Sequence, residues 1–145
     1  MKRDPGNTQR SVTCYRIYCL IVSLVALSLA FWSKFYDGPY WRFADAYLGD
    51  VFIVICLYFW LALFRPGLHI LTKFALIAAL AFGVELFQAT GLPAALNLPE
   101  PFVFILGTSY NAFDFLCYGS GLLCAVFFDQ LYMKFTTGHF HFCRR

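Results

Sequence analysis

Four stretches of this chain carry no charged side chain and are almost wholly apolar: Ile17 to Ser33, Val51 to Phe64, Phe74 to Val84 and Phe115 to Phe128. A helix rises 1.5 Å per residue and a hydrocarbon core is about 30 Å thick, so a span needs about 20 residues. Only the first stretch, with 17 residues, approaches that length, and the other three must extend past a charge to cross. The extensions are Ala46 to Phe64, Leu71 to Thr90 and Ala112 to Tyr132, and they carry Asp50, Glu85 and Asp114 into the bilayer or to its margin. Extending the third run the other way is blocked by Pro66, Gly67, His69 and Lys73. Water-soluble domains are about one-quarter charged, whereas this chain is 13% charged and 61% hydrophobic. The expected fold is therefore all-α: one polytopic membrane domain over 1–145, with spans near 17–35, 46–64, 71–90 and 112–132 and tails at 1–16 and 133–145.

Basic residues assign the sides. With both termini cytoplasmic, Lys2, Arg3, Arg10, Arg16, Arg65, Lys73, Lys134, Arg144 and Arg145 lie inside, and only Lys34 and Arg42 lie outside. Nine against two is a marked positive-inside bias. Asp50, Glu85 and Asp114 then sit near the outer ends of their helices, so three acids far apart in the chain converge on one leaflet. Tyr36, Tyr40, Trp41, Phe43 and Tyr47 form an outer aromatic belt, and Tyr15, Tyr18, Tyr132 and Phe135 an inner one. The basic N-terminus and first apolar run also fit a signal peptide cleaved after Ser28-Leu29-Ala30, but the run continues to Lys34, long for such a segment.

Membrane helices approach closely where small residues recur every three or four positions. Ser23, Ala26, Ala30 and Ser33 make such a stripe in the first helix. In the third, Ala78, Ala81, Glu85 and Gln88 fall within about 80° of one another at 100° per residue. In the fourth, Asp114, Tyr118, Gly121 and Ala125 share a face. A carboxylate facing lipid is costly, and one facing a neighbouring helix finds partners, so the acids are expected to point inward. Glu85 with Gln88 is the leading ligand- or proton-binding candidate; the competing reading is a hydrogen-bonded Glu that glues two helices. Asp114 reads equally as a candidate site residue and as position N3 of a capping box begun by Asn111. Asp50, after Gly49, carries the same ambiguity at a helix start. Tyr118 can hydrogen-bond into this group. Asp129, at the wrong helix end for the dipole, is expected to pair locally with Arg65, Lys73 or Lys134. The connection from Gly91 to Ala112, with Pro93, Pro99 and Pro101, is long for a bundle and suits an external lid over the acids.

Cys14, Cys19, Cys56, Cys117, Cys124 and Cys143 contain no CxxC pair and none lies in an expected external loop, so no disulfide framework is expected. His139, His141 and Cys143 alternate near the C-terminus without a partner element for a metal. No phosphate loop, serine nucleophile elbow or zinc-protease motif occurs. The chain is thus expected to hold no metal or cofactor and to bind no nucleic acid; a non-enzymatic role is favoured, with a metal-assisted hydrolase using Asp50, Glu85 and Asp114 as the last-ranked alternative.

Tyr47-Leu48-Gly49-Asp50, Glu85-Leu86-Phe87-Gln88, Leu106-Gly107 and Asp114-Phe115-Leu116-Cys117-Tyr118-Gly119-Ser120-Gly121 follow in an order that resembles the domain-of-unknown-function family numbered 2809, over roughly Ser28 to Phe128. That family of small bacterial inner-membrane proteins looks related to VanZ-like proteins. The resemblance implies four membrane helices and a role in the cell envelope. It marks Gly49, Asp50, Glu85, Gln88, Gly107, Asp114, Tyr118 and Gly121, the three glycines as structural. One departure is that the family often has an Arg after the Glu-x-x-Gln helix, whereas Ala89 to Ala112 holds no Lys or Arg. The expected function is a cell-envelope binding or accessory module, with a lipid-linked molecule or another membrane protein as partner; the alternative is proton or cation translocation by an oligomer.

Overall fold

The computed structural model describes residues 5–90 and 113–142, with side chains described at residue 9 and over 11–90 and 113–136. These residues form four helices long and apolar enough to cross a membrane: α1 (Pro5–Lys34), α2 (Trp41–Phe64), α3 (Ile70–Ala89) and α4 (Asp114–Phe142). The candidate spans within them are Ser11–Lys34, Trp41–Phe64, Ile70–Ala89 and Asp114–Thr136. Helices α1 and α4 thus outrun the spans expected from hydropathy. An apolar window marks where lipid begins, whereas a helix stops only where its backbone gives up its hydrogen bonds. The alternating His139 and His141 accordingly lie in the last turn of α4. The connection 91–112, with its expected lid, Gly107 and Asn111, lies outside the described residues.

Local chemistry sets the turns. Helix α2 starts at Tyr40, whose left-handed backbone (φ 61°) turns the chain and whose carbonyl accepts from the amides of Phe43 and Ala44 at 2.9 and 3.1 Å. Between α2 and α3, Pro66 and Gly67 stop the first helix, and His69 opens the second by accepting the Leu71 amide on Nδ1 at 3.3 Å. So short a connection makes α2 and α3 antiparallel neighbours.

Helix α1 packs chiefly along α2, which also contacts α3 and α4 and contributes much of the buried core through Val54, Ile55, Cys56, Tyr58, Phe59 and Ala62. Ser23, Ala26, Ala30 and Ser33 of α1 are buried. Their small side chains let the backbones approach, and the two serines return their hydroxyls to the carbonyls of Leu20 and Ala30 at 2.9 and 2.8 Å, so no polar atom is stranded. Helices α2 and α4 cross at Gly121. A Cβ there would stand 2.6 Å from the Val51 carbonyl oxygen and 3.3 Å from its Cα, so only glycine permits this crossing. The outward faces carry the large apolar side chains, among them Leu24, Trp32, Trp60, Leu80, Phe82, Leu116, Leu123 and Phe127. An exposed apolar belt around a core rich in small and polar residues suits a protein whose solvent is lipid.

Candidate functional site

Polar side chains gather at both ends of the bundle. At the end where α1 stops and α2 begins, Asp50 of α2, Glu85 of α3, and Asp114 and Tyr118 of α4 lie close enough to interact electrostatically. Two of their positions differ from the sequence expectation. Asp50 does not cap a helix: α2 begins at Trp41 and runs through a π-helical turn (Ala44–Leu48) directly before Gly49, and Leu48 has helical dihedrals, so Asp50 lies in the helix interior. The π turn absorbs an extra residue and re-aims the side chains after it, a device often found at functional sites. Asp114 is the first residue of α4 rather than position N3. Phe113 is the N-cap, its carbonyl accepting the Leu116 and Cys117 amides at 3.0 and 3.2 Å, and the helix macrodipole still favours the acid there.

Glu85 is wholly buried, and among the described residues neither carboxyl oxygen has a hydrogen-bond partner. The Tyr118 hydroxyl lies beside this carboxyl without reaching hydrogen-bond geometry. Gln88 is buried one turn further along α3. Gly49 leaves ordinary room for a side chain, its nearest would-be neighbours being Lys34 Cε and Ser33 Oγ at 3.5 Å. Lys34 stands at the rim of the group, beside Asp50, with its ammonium 3.3 Å from Asp45 Oδ1 and donating to the Asp45 carbonyl. Among the described residues, no three His, Cys, Asp or Glu side chains converge at metal-ligand spacing.

An apolar groove of about 430 Å³ opens beside the acids, between α2 and α4. Among the described residues its walls are Phe43, Tyr47, Leu48 and Val51 on one side and Phe113, Leu116, Cys117 and Ser120 on the other. Cys117 belongs both to this wall and to the surroundings of Asp50 and Asp114.

The opposite end holds a second polar group. Asp129 of α4 is buried and accepts the hydroxyls of Tyr15 from α1 at 2.7 Å and Tyr58 from α2 at 2.8 Å. Lys73 of α3, also buried, forms an ion pair with the same carboxylate and donates to the Tyr15 hydroxyl at 2.9 Å. Its ammonium lies over the rings of Tyr15 and Tyr58, 5.6 and 5.2 Å from their centroids. Of the three partners expected for Asp129, Lys73 is the one it meets, and the contact ties all four helices rather than two neighbours. Tyr15 is correspondingly not a belt residue. Tyr18 and Tyr132 stack beside it, with centroids 4.4 Å apart.

This tyrosine, lysine and aspartate node is what sequence reasoning missed. Its signal was present: continuing the small-residue stripe of α1 back from Ser23 in steps of four reaches Cys19 and Tyr15. The same stepping takes Glu85 of α3 through Ala81 and Ile77 to Lys73, and Ala125 of α4 to Asp129. Along the bundle the two polar groups are separated by buried Val54, Ile55, Cys56, Ile77, Leu122 and Ala125. Glu85 and Lys73 are about 18 Å apart along α3 at the helical rise.

Residues 40–122, more than half of the chain, match the family described as "Protein of unknown function (DUF2809)". The chain belongs to this family. The matched segment begins at the left-handed Tyr40 that starts α2, contains all three acids of the first group and ends just beyond the Gly121 crossing. Neither the curated proteins nor the solved structures contain a match.

Proposed function

We propose that this DUF2809 protein is a membrane-embedded binding or accessory module of the bacterial cell envelope, in the inner membrane, taking a lipid-linked molecule at the Asp50, Glu85, Asp114 and Tyr118 group. Kinship with VanZ-like envelope proteins is part of this reading. So is the orientation, in which the positive-inside bias puts both termini in the cytoplasm and the acid group in the outer leaflet.

The observation that carries the proposal is the Glu85 carboxyl, buried with both oxygens unpartnered. A polar group so placed gives up its hydration for nothing within the described chain, and intramembrane acids that do so line binding sites and ion paths. The packing-glue alternative rests on the Tyr118 hydroxyl of α4, which lies beside the carboxyl without reaching hydrogen-bond geometry. The apolar side chains between the two polar groups favour a one-ended binding site over a continuous path for protons or cations.

The test is native mass spectrometry of the protein released from nanodiscs, wild type beside Glu85→Gln. A lipid or lipid-linked adduct retained by the wild type and lost from an equally stable variant supports the module. With no adduct and equal stability, a binding module is refuted, and a flux assay in liposomes follows.

A further inference from the structure

The charges around the acid group are ordered. Three carboxyl groups interact electrostatically, and Glu85, the most deeply buried, has no hydrogen bond of good geometry among the described residues, although the Tyr118 hydroxyl lies beside it. Among the described residues the cation beside them is Lys34, which stands outside at the rim and already shares its charge with Asp45. Moving outward, the site is therefore acidic and then basic. Its acids interact, yet they are not drawn together at metal-ligand spacing. Such a looser arrangement suits a cation larger than a metal ion, with several hydrogen-bond donors pointing in different directions; a primary ammonium has three. The apolar groove walled by Leu48, Val51, Leu116 and Cys117 neighbours this group through Cys117, which lines the groove and interacts electrostatically with Asp50 and Asp114. At about 430 Å³ it falls within the usual range for ligand pockets, about 300–1,000 Å³.

Resting on the binding reading above, we propose that the ligand is an aminophospholipid: its ammonium sits among Glu85, Asp50 and Asp114, its phosphate beside Lys34, and one acyl chain in the groove between α2 and α4. The unpartnered Glu85 oxygens then receive charged donors, and the ammonium offsets one of the three carboxyl charges. The phosphate meets the rim cation instead of the carboxylates. A lipid carrying only anionic groups would place its charge against the acids, and like charges in a site of low dielectric repel strongly.

The experiment uses the full-length protein in phosphatidylglycerol nanodiscs doped with a minor share of either phosphatidylethanolamine or its N-acetylated form with the same chains. Lipid retained after release is read by native mass spectrometry. The wild type is expected to enrich phosphatidylethanolamine about tenfold over the N-acetylated lipid, the factor a single charge-assisted hydrogen bond supplies. Glu85→Gln and Asp50→Asn are each expected to remove that enrichment. Ser120→Trp, which fills the groove from an exposed position, is expected to reduce retention at an unchanged melting temperature. Free phosphoethanolamine is expected not to displace the lipid.

Equal retention of both lipids by the wild type, with loss of both in Glu85→Gln, overturns the amine preference while leaving the binding module intact. Displacement by free phosphoethanolamine, or full retention by Ser120→Trp, overturns the place of the acyl chain. Equal retention by wild type and Glu85→Gln overturns this inference and the binding module together.

Discussion

Lys73 and Asp129 make the sharpest prediction about what holds the four helices together. Both side chains are buried, at 3% and 0% exposure, so solvent screens their attraction little. Asp129 carries three contacts, from Lys73 and from the hydroxyls of Tyr15 and Tyr58, and Lys73 has a second acceptor in Tyr15. Removing one member of a buried pair leaves the other charge uncompensated, which costs about 3–5 kcal/mol. Asp129→Asn and Lys73→Met should each destabilise by that amount. The double variant leaves no buried charge. The new asparagine can accept from one tyrosine hydroxyl and donate to the other, so its cost should fall below either single and the coupling energy should reach about 3 kcal/mol. The assay is equilibrium unfolding in mixed micelles with increasing sodium dodecyl sulfate, followed by tryptophan fluorescence for the wild type, both singles and the double. Additive costs, or singles below about 1 kcal/mol, would refute the node as a coupled unit and return Asp129 to a local role.

Other variants probe separate parts of the structure. Tyr15→Phe and Tyr58→Phe each delete one hydroxyl donor to the Asp129 carboxylate and should cost about 1.5–3 kcal/mol in the same titration; a change in only one of them would show that the hydroxyls are unequal partners. Gly121→Ala pushes a methyl into the Val51 carbonyl and should destabilise by about 1–3 kcal/mol as α2 and α4 separate, while the same change at Gly119, where nothing lies within 4 Å, should be nearly silent. Glu85→Gln should leave the unfolding midpoint unchanged or raise it, because no hydrogen bond is lost; a drop of more than about 1 kcal/mol would restore the reading of Glu85 as a packing contact. For orientation, an impermeant thiol reagent applied to intact cells should label a single cysteine placed at Thr108 and spare one placed at Thr72, and the reverse pattern would invert the sidedness.

The four helices were legible because hydropathy is a local property: an apolar run that reaches about 20 residues once it is extended past a single charge announces a span wherever it occurs. The small-residue stripe of α1 was legible for the same reason, since helical periodicity places Ser23, Ala26, Ala30 and Ser33 on one face before any partner is known. Helix ends were read less well. Asp50 read equally as a site residue and as a helix start because Gly49 precedes it and the apolar run begins after it, yet polar and aromatic residues back to Trp41 continue the helix. Asp114 kept a place at its helix start but moved from the third position to the first, because the Phe113 carbonyl accepts the Leu116 and Cys117 amides.

Periodicity shows that a residue faces inward, and charge counting shows which end of the bundle it occupies. From these alone Glu85, Asp50 and Asp114 could be placed at one end, and Asp129 given three possible partners. The choice among those partners was made only in three dimensions. Whether Lys73 reaches Asp129 depends on the rotation and depth of α3 against α4, and the meeting of Tyr15 and Tyr58 at the same carboxylate depends on how α1 lies along α2. The same holds for Glu85, whose lack of a well-formed hydrogen bond among the described residues is a relation among helices. A sequence records the donors and acceptors each helix brings; helix packing decides which of them meet, because a hydrogen bond requires placement to within a few tenths of an ångström.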